Sequence, residues 1–449
     1  LSEALAGVRP AARRPDPGFS TFLWVWLGRT VSLFGSGLTA FALGIWVYQT
    51  TGSVTRFGLL TFCSVIPTVV LSPVAGALVD RWDRRWAMMV ADAGSALSWV
   101  ALVLLFWAGS PRDWQVGLVV AASASFSALQ LPALTASMTL LVPREQLNRA
   151  NGLVELGASL SSLLAPLAAG FLVELTGVRG VILIDLATFL LSLGTLLLVR
   201  IPRPPRTEEA GASALGFWRG VGAGWGFIRS RRGFLALTAF SMILNFAFGT
   251  VQTLLTPLVL SFASSAVLGM VLSSAGVGML AGGAAFVVWG ARVERRVWFL
   301  LGAAALQGLL LLLGGVRPSA LLVAGVAFGY MAAGSTIAVC SQTVWQRKVP
   351  PERQGRVIAT RRMLATAAMS LSYVVTGLLA DRVFEPLLAA GGPLSGSVGR
   401  VLGSGPGRGV ALLFMSLGAV VLAAAVAGFR MRPLRELEKD LPDAVPAGA

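Results

Sequence analysis

The stretch AGALVDRWDRRW (75–86) places five charged residues in the six positions 80–85 of a 449-residue chain that is only 12% charged. Asp80 and Asp83 stand among Arg81, Arg84 and Arg85, a grouping suited to ion pairing and to anchoring a turn at an anionic membrane surface rather than to bond making. Elsewhere, Arg29, Asp92, Glu155 and Asp185 interrupt long apolar runs. A charge in such a run is costly and by default functional. An acid there can take up and release a proton as its surroundings change, so Glu155, Asp92 and Asp185, in that order, are candidates for proton coupling. Asp92, two turns beyond the charged stretch, is also expected to pair with its arginines.

The composition removes other chemistries. The sequence has no His, hence no imidazole for a relay, a triad or a metal site. Its two cysteines, Cys63 and Cys340, fall inside apolar runs, where a free thiol behaves as a small hydrophobe. Neither Lys348 nor Lys439 follows the glycine spacing of a phosphate-cradling loop. No enzymatic activity, cofactor or metal is expected, and energy for any uphill work must come from an ion gradient or a partner chain.

The elements that carry these residues are membrane helices. Hydrophobic residues are 55% of the chain and the mean hydropathy is +0.77, well into the range of bilayer proteins. Apolar runs of roughly 20 residues, the length that crosses a hydrocarbon core as helix, recur near 20–48, 54–79, 86–108, 114–142, 149–174, 178–200, 233–260, 264–291, 297–316, 319–347, 356–385 and 408–430. LIDLATFLLSLGTLLLV (183–199) is apolar all round, as a helix buried in lipid or in a bundle must be. The alternating ten-residue segments of a membrane barrel are absent from the sequence. The expected fold is an all-α membrane protein with twelve transmembrane helices in two six-helix halves. The formal net charge of +16 collects at the connections on the side of the amino terminus, which makes that side cytoplasmic. No basic soluble domain is left to bind nucleic acid.

The two halves are visible as a repeat. VPREQLNRANGLVELGASLSSLLAPLAAGFLVE (142–174) and VPPERQGRVIATRRMLATAAMSLSYVVTGLLAD (349–381) align at a constant offset of 207, with Pro143 on Pro350, Glu145 on Glu352, Arg149 on Arg356, Gly170 on Gly377 and Glu155 on Arg362. A weaker copy of the charged turn, WGARVERRV (289–297), aligns Glu294 with Asp83 and has Ala291 in place of Asp80. The expected organisation is a cytoplasmic tail (1–19), a first half (20–200), a polar, Pro/Gly-rich cytoplasmic connector (201–232), a second half (233–430) and a cytoplasmic tail (431–449). The connector holds Phe217, Trp218, Trp225 and Phe227, suited to a helix at the membrane surface.

These features together resemble the major facilitator superfamily, with GALVDRWDRR (76–85) in the place of its signature turn. RTVSLFGSGLTAFALGIWVYQTTGSVTRFGLL (29–60), LVPREQLNRANGL (141–153) and DRVFEPLLAAGGPLSGSVGRVLGSGPGRG (381–409) are similar to its drug-efflux branch, which includes macrolide exporters and the enterobactin exporter. The resemblance implies a cytoplasmic lock between Asp80 and the start of the eleventh helix with Arg361 or Arg362, which Gly76 permits by close approach, and a second lock between Glu155 and Arg292. Ala165, Pro166 and Gly170 stand where exporters of the family carry a Gly-Pro-x-x-Gly-Gly motif; most of its glycines are missing here. In the family fold, Arg29, Phe34, Gln130, Asn245, Gln252, Tyr330 and Gln342 are expected to face the substrate path. Glu174 and Asp381, near the outer ends, are expected to be solvated.

The expected function is proton-coupled efflux of lipophilic or amphipathic small molecules by alternating access, from a bacterial inner membrane and as a monomer. A nutrient importer or lipid flippase of the same fold, or a non-transporting scaffold or sensor, is the alternative. The topology has a direct check. A cysteine replacing Arg353 should be shielded from an impermeant thiol reagent in intact cells, whereas one replacing Gly396 should react. Labelling at 353 would reverse the orientation.

Overall fold

The computed structural model describes residues 17–199, 214–290, 293 and 295–440. The side chains of Pro17, Pro73, Ala77, Asp80, Arg81, Arg144 and residues 214–217 lie outside the described set, as does the whole of Arg292. The first half comprises α1 (Pro17–Thr51), α2 (Val54–Arg81), α3 (Arg84–Ala108), α4 (Asp113–Ser127), α5 (Gln130–Leu141) and α6 (Leu147–Leu198). The connector helix α7 (Ala214–Arg229) follows. The second half comprises α8 (Arg232–Leu260), α9 (Ser265–Trp289), α10 (Arg296–Gly314), α11 (Ala320–Lys348) and α12 (Pro351–Leu379), then two short turns, α13 (Glu385–Leu388) and α14 (Gly399–Leu402), and α15 (Arg408–Arg430).

Eleven described stretches are long and apolar enough to cross a bilayer. One of them, α6, has 52 residues, which as a single rod would rise roughly 78 Å, more than twice a hydrocarbon core of roughly 30 Å. It is two crossings. Gly177, at φ 67° and ψ 177°, turns the chain back on itself in a conformation that glycine alone adopts readily. The first arm (147–176) runs beside α1 in the same direction, with Trp26 Nε1 donating to the Leu153 carbonyl at 2.8 Å and Leu38 and Ala42 clustering with Ala165 and Ala169. The second arm (178–198) returns, with Ile182 and Phe189 packed among Leu43 and Val47, and Leu196 among Phe22 and Val25. Twelve crossings result.

The fourth crossing is broken where the sequence predicts a continuous run. Pro132 has no N–H to give to the carbonyl four residues back, so α4 ends at Ser127 and α5 starts at Gln130. The broken turn buries the Gln130 side chain inside the first half.

The turns alternate between two ends of the bundle. The connector end holds the α2–α3 turn, α7 and the α11–α12 turn; the far end holds Gly52 and Ser53, Gly177, residues 261–264 and the loop 389–407. In the second half, Trp345 stacks on Phe234 with ring centroids 4.6 Å apart, and Phe227 of α7 lies 5.7 Å from Phe234. Phe227 is therefore core rather than surface, while Trp218 is exposed and Trp225 nearly 40% so. Within this half α10 and α15 meet backbone to backbone, and a Cβ on Gly418 would lie 2.7 Å from the Gly308 carbonyl oxygen.

That contact gives a stability test. Gly418→Val should cost about 1–3 kcal/mol by overpacking, seen as a lower unfolding temperature in detergent. Gly194→Ala, with open space at its Cβ, should be neutral or raise stability by about 0.5–1 kcal/mol.

Candidate functional site

The halves touch at the far end. A Cβ on Gly170 of α6 would come within 2.7 Å of the Ser265 carbonyl oxygen, and one on Gly269 of α9 within 2.5 Å of the Pro166 carbonyl oxygen. Ser273 Oγ donates to the Leu163 carbonyl at 2.8 Å. On the opposite seam a Cβ on Gly377 of α12 would lie 2.5 Å from Thr55 Cα, and Gly58 of α2 lies against the Tyr373 carbonyl. Ala165, Pro166 and Gly170 thus sit on or beside a helix–helix contact between halves. Toward the connector end the same helices part, since positions 76, 152, 283 and 355 have no described atom within 4 Å of a built Cβ. Gly76 makes no close approach in this conformation.

A cavity of about 1210 Å³ occupies the gap. Asn245 and Phe248 of α8, Met279 of α9, Gln307 of α10, Tyr330, Met331, Gln342 and Gln346 of α11, and Arg361 and Arg362 of α12 line it, with Glu155 of α6 on the facing half. Arg361 is held in place. Its Nη2 donates to Gln342 Oε1 at 3.0 Å, Nη1 to Ser341 Oγ at 3.4 Å, and the guanidinium lies 5.6 Å from the Trp345 ring centroid. Glu155 and Arg362 are exposed, and neither side chain has a hydrogen bond or ion pair among the described residues. Of the residues expected on the substrate path, Asn245, Tyr330 and Gln342 line this cavity. Arg29, Phe34, Gln130 and Gln252 do not.

Gln130 and Arg29 belong instead to a polar cluster inside the first half. Gln130 Nε2 donates to Asp92 Oδ1 at 2.8 Å, Ser192 Oγ donates to Asp92 Oδ2 at 2.7 Å, and the Arg29 guanidinium attracts the same carboxylate. Asp92 has these partners rather than the arginines of the charged turn, because it points between α5 and the second arm of α6. Arg85 turns the other way, donating from Nε and Nη2 to the carbonyls of Leu196 and Leu197 at 2.8 Å each. It caps the end of α6 with a cation, where the helix dipole favours one. Asp83 caps α3 through Arg85 N at 3.0 Å. Phe34 packs against Leu38, Ala42 and Ala165, and Gln252 is exposed on α8. Asp185 is fully buried beside Thr39 and Thr188, with Thr188 Oγ1 at 3.3 Å.

Gln307 is a cavity residue that the sequence reading passed over. Its signal was available, a lone amide in the apolar run AAALQGLLLLL. It is almost wholly buried and donates to the Tyr330 carbonyl at 2.9 Å, fixing the wall behind that residue.

Two six-crossing halves, closed on each other at one end and parted around a cavity at the other, define a membrane carrier. The Major Facilitator Superfamily profile matches residues 25–373, and the chain belongs to that family. Macrolide efflux protein A of Streptococcus pyogenes is 27% identical over 372 residues, covering 81% of this chain and 90% of that protein. The enterobactin exporter EntS of Shigella boydii serotype 18 is 29% identical over 189 residues, 42% of this chain and 45% of that one. Among solved structures, a bacterial homologue of the human lysosomal transporter Spinster, in an inward-facing, unoccupied conformation, superposes with a TM-score of 0.73 at 16% identity, covering 98% of this chain and all of that one. The nucleoside transporter NupG gives 0.68 at 13%, covering 92% and 100%. The protein is a transporter of this family, not an enzyme.

The Asp92 cluster can be probed by stability. Ser192→Ala should leave one carboxylate oxygen without its donor and cost about 1–3 kcal/mol, read as a lower unfolding temperature. An unchanged value would mean that water replaces the hydroxyl.

Proposed function

We propose that this transporter exports lipophilic or amphipathic small molecules in exchange for protons, and that the conformation described is the one open to the cytoplasm. The observation that carries the reading is the cavity. Its wall combines Phe248, Met279 and Met331 with the amides of Asn245, Gln307 and Gln342, the mixture that suits a bulky ligand with a few polar groups. Glu155 on one side and Arg361 and Arg362 on the other add one negative and two positive charges. The names of two relatives, one a macrolide efflux protein and one an enterobactin exporter, support export of molecules of this kind. The basic residues gathered at the connector end support a cytoplasmic placement of that end and of both termini in a bacterial inner membrane.

Glu155 is the proposed proton-coupling residue. It lies at the opening of the cavity with no hydrogen-bond or ion-pair partner among the described residues, whereas Asp92 is held by Gln130 and Ser192, and Asp185 of α6 is buried beside Thr39 of α1. In the opposite conformation the connector end closes. Asp80 would then meet the start of α12 near Arg361 or Arg362, and Glu155 the Arg292 region.

The test is accumulation of a panel of dyes, macrolides and siderophores in cells with and without the protein, repeated with a protonophore. Expression should lower accumulation of at least one amphipathic compound, and the protonophore should abolish the difference. Glu155→Gln should retain binding of that compound to the purified protein but lose export against a gradient. Export by Glu155→Gln that remains protonophore-sensitive would remove Glu155 from the coupling role.

A further inference from the structure

The far end carries two contacts of the same design. Asp381, just past the end of α12 on a π-helical turn (Ala380–Phe384), reaches across the seam to the first turn of α2. Its Oδ1 accepts from Val54 N at 3.0 Å, and its Oδ2 from Thr55 N at 2.9 Å and Ser53 Oγ at 2.6 Å. Glu174, at the end of the first arm of α6, does the same at the other seam, where its Oε1 accepts from Ala266 N at 3.0 Å in the first turn of α9. Ser264 occupies the cap position of α9 but makes no capping hydrogen bond itself. The cap comes from the other half.

These contacts are related by the internal repeat. Asp381 stands 207 positions after Glu174, the offset that aligns α12 with α6; Ala266 stands 211 after Thr55, the offset that aligns the two charged turns. The backbone contacts beneath them obey the same offsets. Gly58 lies against Tyr373 as Gly269 lies against Pro166, and Gly377 against Val54 and Thr55 as Gly170 lies against Ser265 and Ala266. A first turn has free N–H groups and a positive dipole end, and each acid supplies what that turn needs. Glu174 is exposed, as expected from sequence, and Asp381 is half-buried; each nevertheless accepts hydrogen bonds from the other half.

We propose that Glu174 and Asp381 are paired gating residues, each a latch on one seam, that hold the far end shut and are released when it opens. The assignment rests on the family's transport activity, and its test needs no substrate. Each latch joins a helix of one half to the first turn of a helix in the other, so it exists only while the halves are in contact there. A third acid provides the control. Glu385 Oε1 accepts from Val410 N at 3.0 Å at the start of α15, a cap of the same chemistry that stays inside the second half.

Spin labels are placed at positions 114 and 401, both exposed at the far end and on opposite halves, in a Cys63→Ala, Cys340→Ala background reconstituted in nanodiscs. Inter-label distances are then measured by double electron–electron resonance. Glu174→Gln and Asp381→Asn should each raise the long-distance population relative to the short one about three- to tenfold. The double variant should show close to the product of the two effects, because the latches share no partner. Ala266→Pro removes the N–H given to Glu174 at a helix position that tolerates proline, and should reproduce Glu174→Gln. Glu385→Gln should leave the distribution as in the parent. Distributions unchanged in both single variants and the double, or an equal shift in Glu385→Gln, would overturn the assignment. Failure of any compound to be exported would not bear on it.

Discussion

Two helices from different halves can come within backbone contact only where side chains vanish from the seam. Here that happens near Gly170 and Gly269 on one side and near Gly58 and Gly377 on the other, all at the far end. The consequence is geometric. Helices of 25 to 29 residues such as α9 and α12 are stiff rods, so rods pinned together at one end and tilted apart leave a wedge at the other. The cavity is that wedge. Its size and the end at which it opens follow from where the small residues sit, and the polar groups along its wall are exposed because no opposing helix covers them. In a bilayer, where lipid is as apolar as leucine, such close approach is a main source of helix adhesion.

The acids inside the first half divide by the same reasoning. Asp92 is enclosed among α3, α5 and α6, and a carboxylate so enclosed must have donors for both oxygens. Gln130 and Ser192 supply them, from the broken turn of the fourth crossing and from the second arm of α6. The cluster therefore ties three helices of one half together and helps that half behave as a rigid unit. Glu155 sits on the first arm of α6 where the wedge begins, exposed and lining the cavity. Asp92 has donors on both oxygens, and Glu155 has none among the described residues.

Much of this was legible in the sequence, and the remainder was hidden for a definable reason. Segment length and composition mark twelve crossings, the reversal near Gly177 falls between two of the predicted spans, and the repeat at 207 residues identifies the halves. Charge type and spacing mark the α2–α3 turn. Rotation about each helix axis is different. Where a run is apolar on all sides, its pattern carries no face preference, so the direction in which a lone polar residue points is fixed by neighbours far away in the chain. Gln130 and Arg29, expected on the substrate path, turn instead to Asp92. The caps that Asp381 and Glu174 make across the seams are not legible in sequence because a carboxylate beside a loop carries no sign of the helix start it faces. Gln307 was within reach, since an amide alone among leucines needs a partner.

The repeat also constrains how the halves can move. The contacts at the α6–α9 seam and at the α12–α2 seam match position for position under the two repeat offsets, so each seam is built from the same parts in the same order. Because both lie at one end of the bundle, neither half can rock away from the far end while one seam stays intact without bending a helix at backbone contacts that leave no slack. In the proposed change of conformation both seams would part together and the connector end would narrow as they do. By that motion the wedge would not become a channel through the protein, because opening one end would draw the other closed.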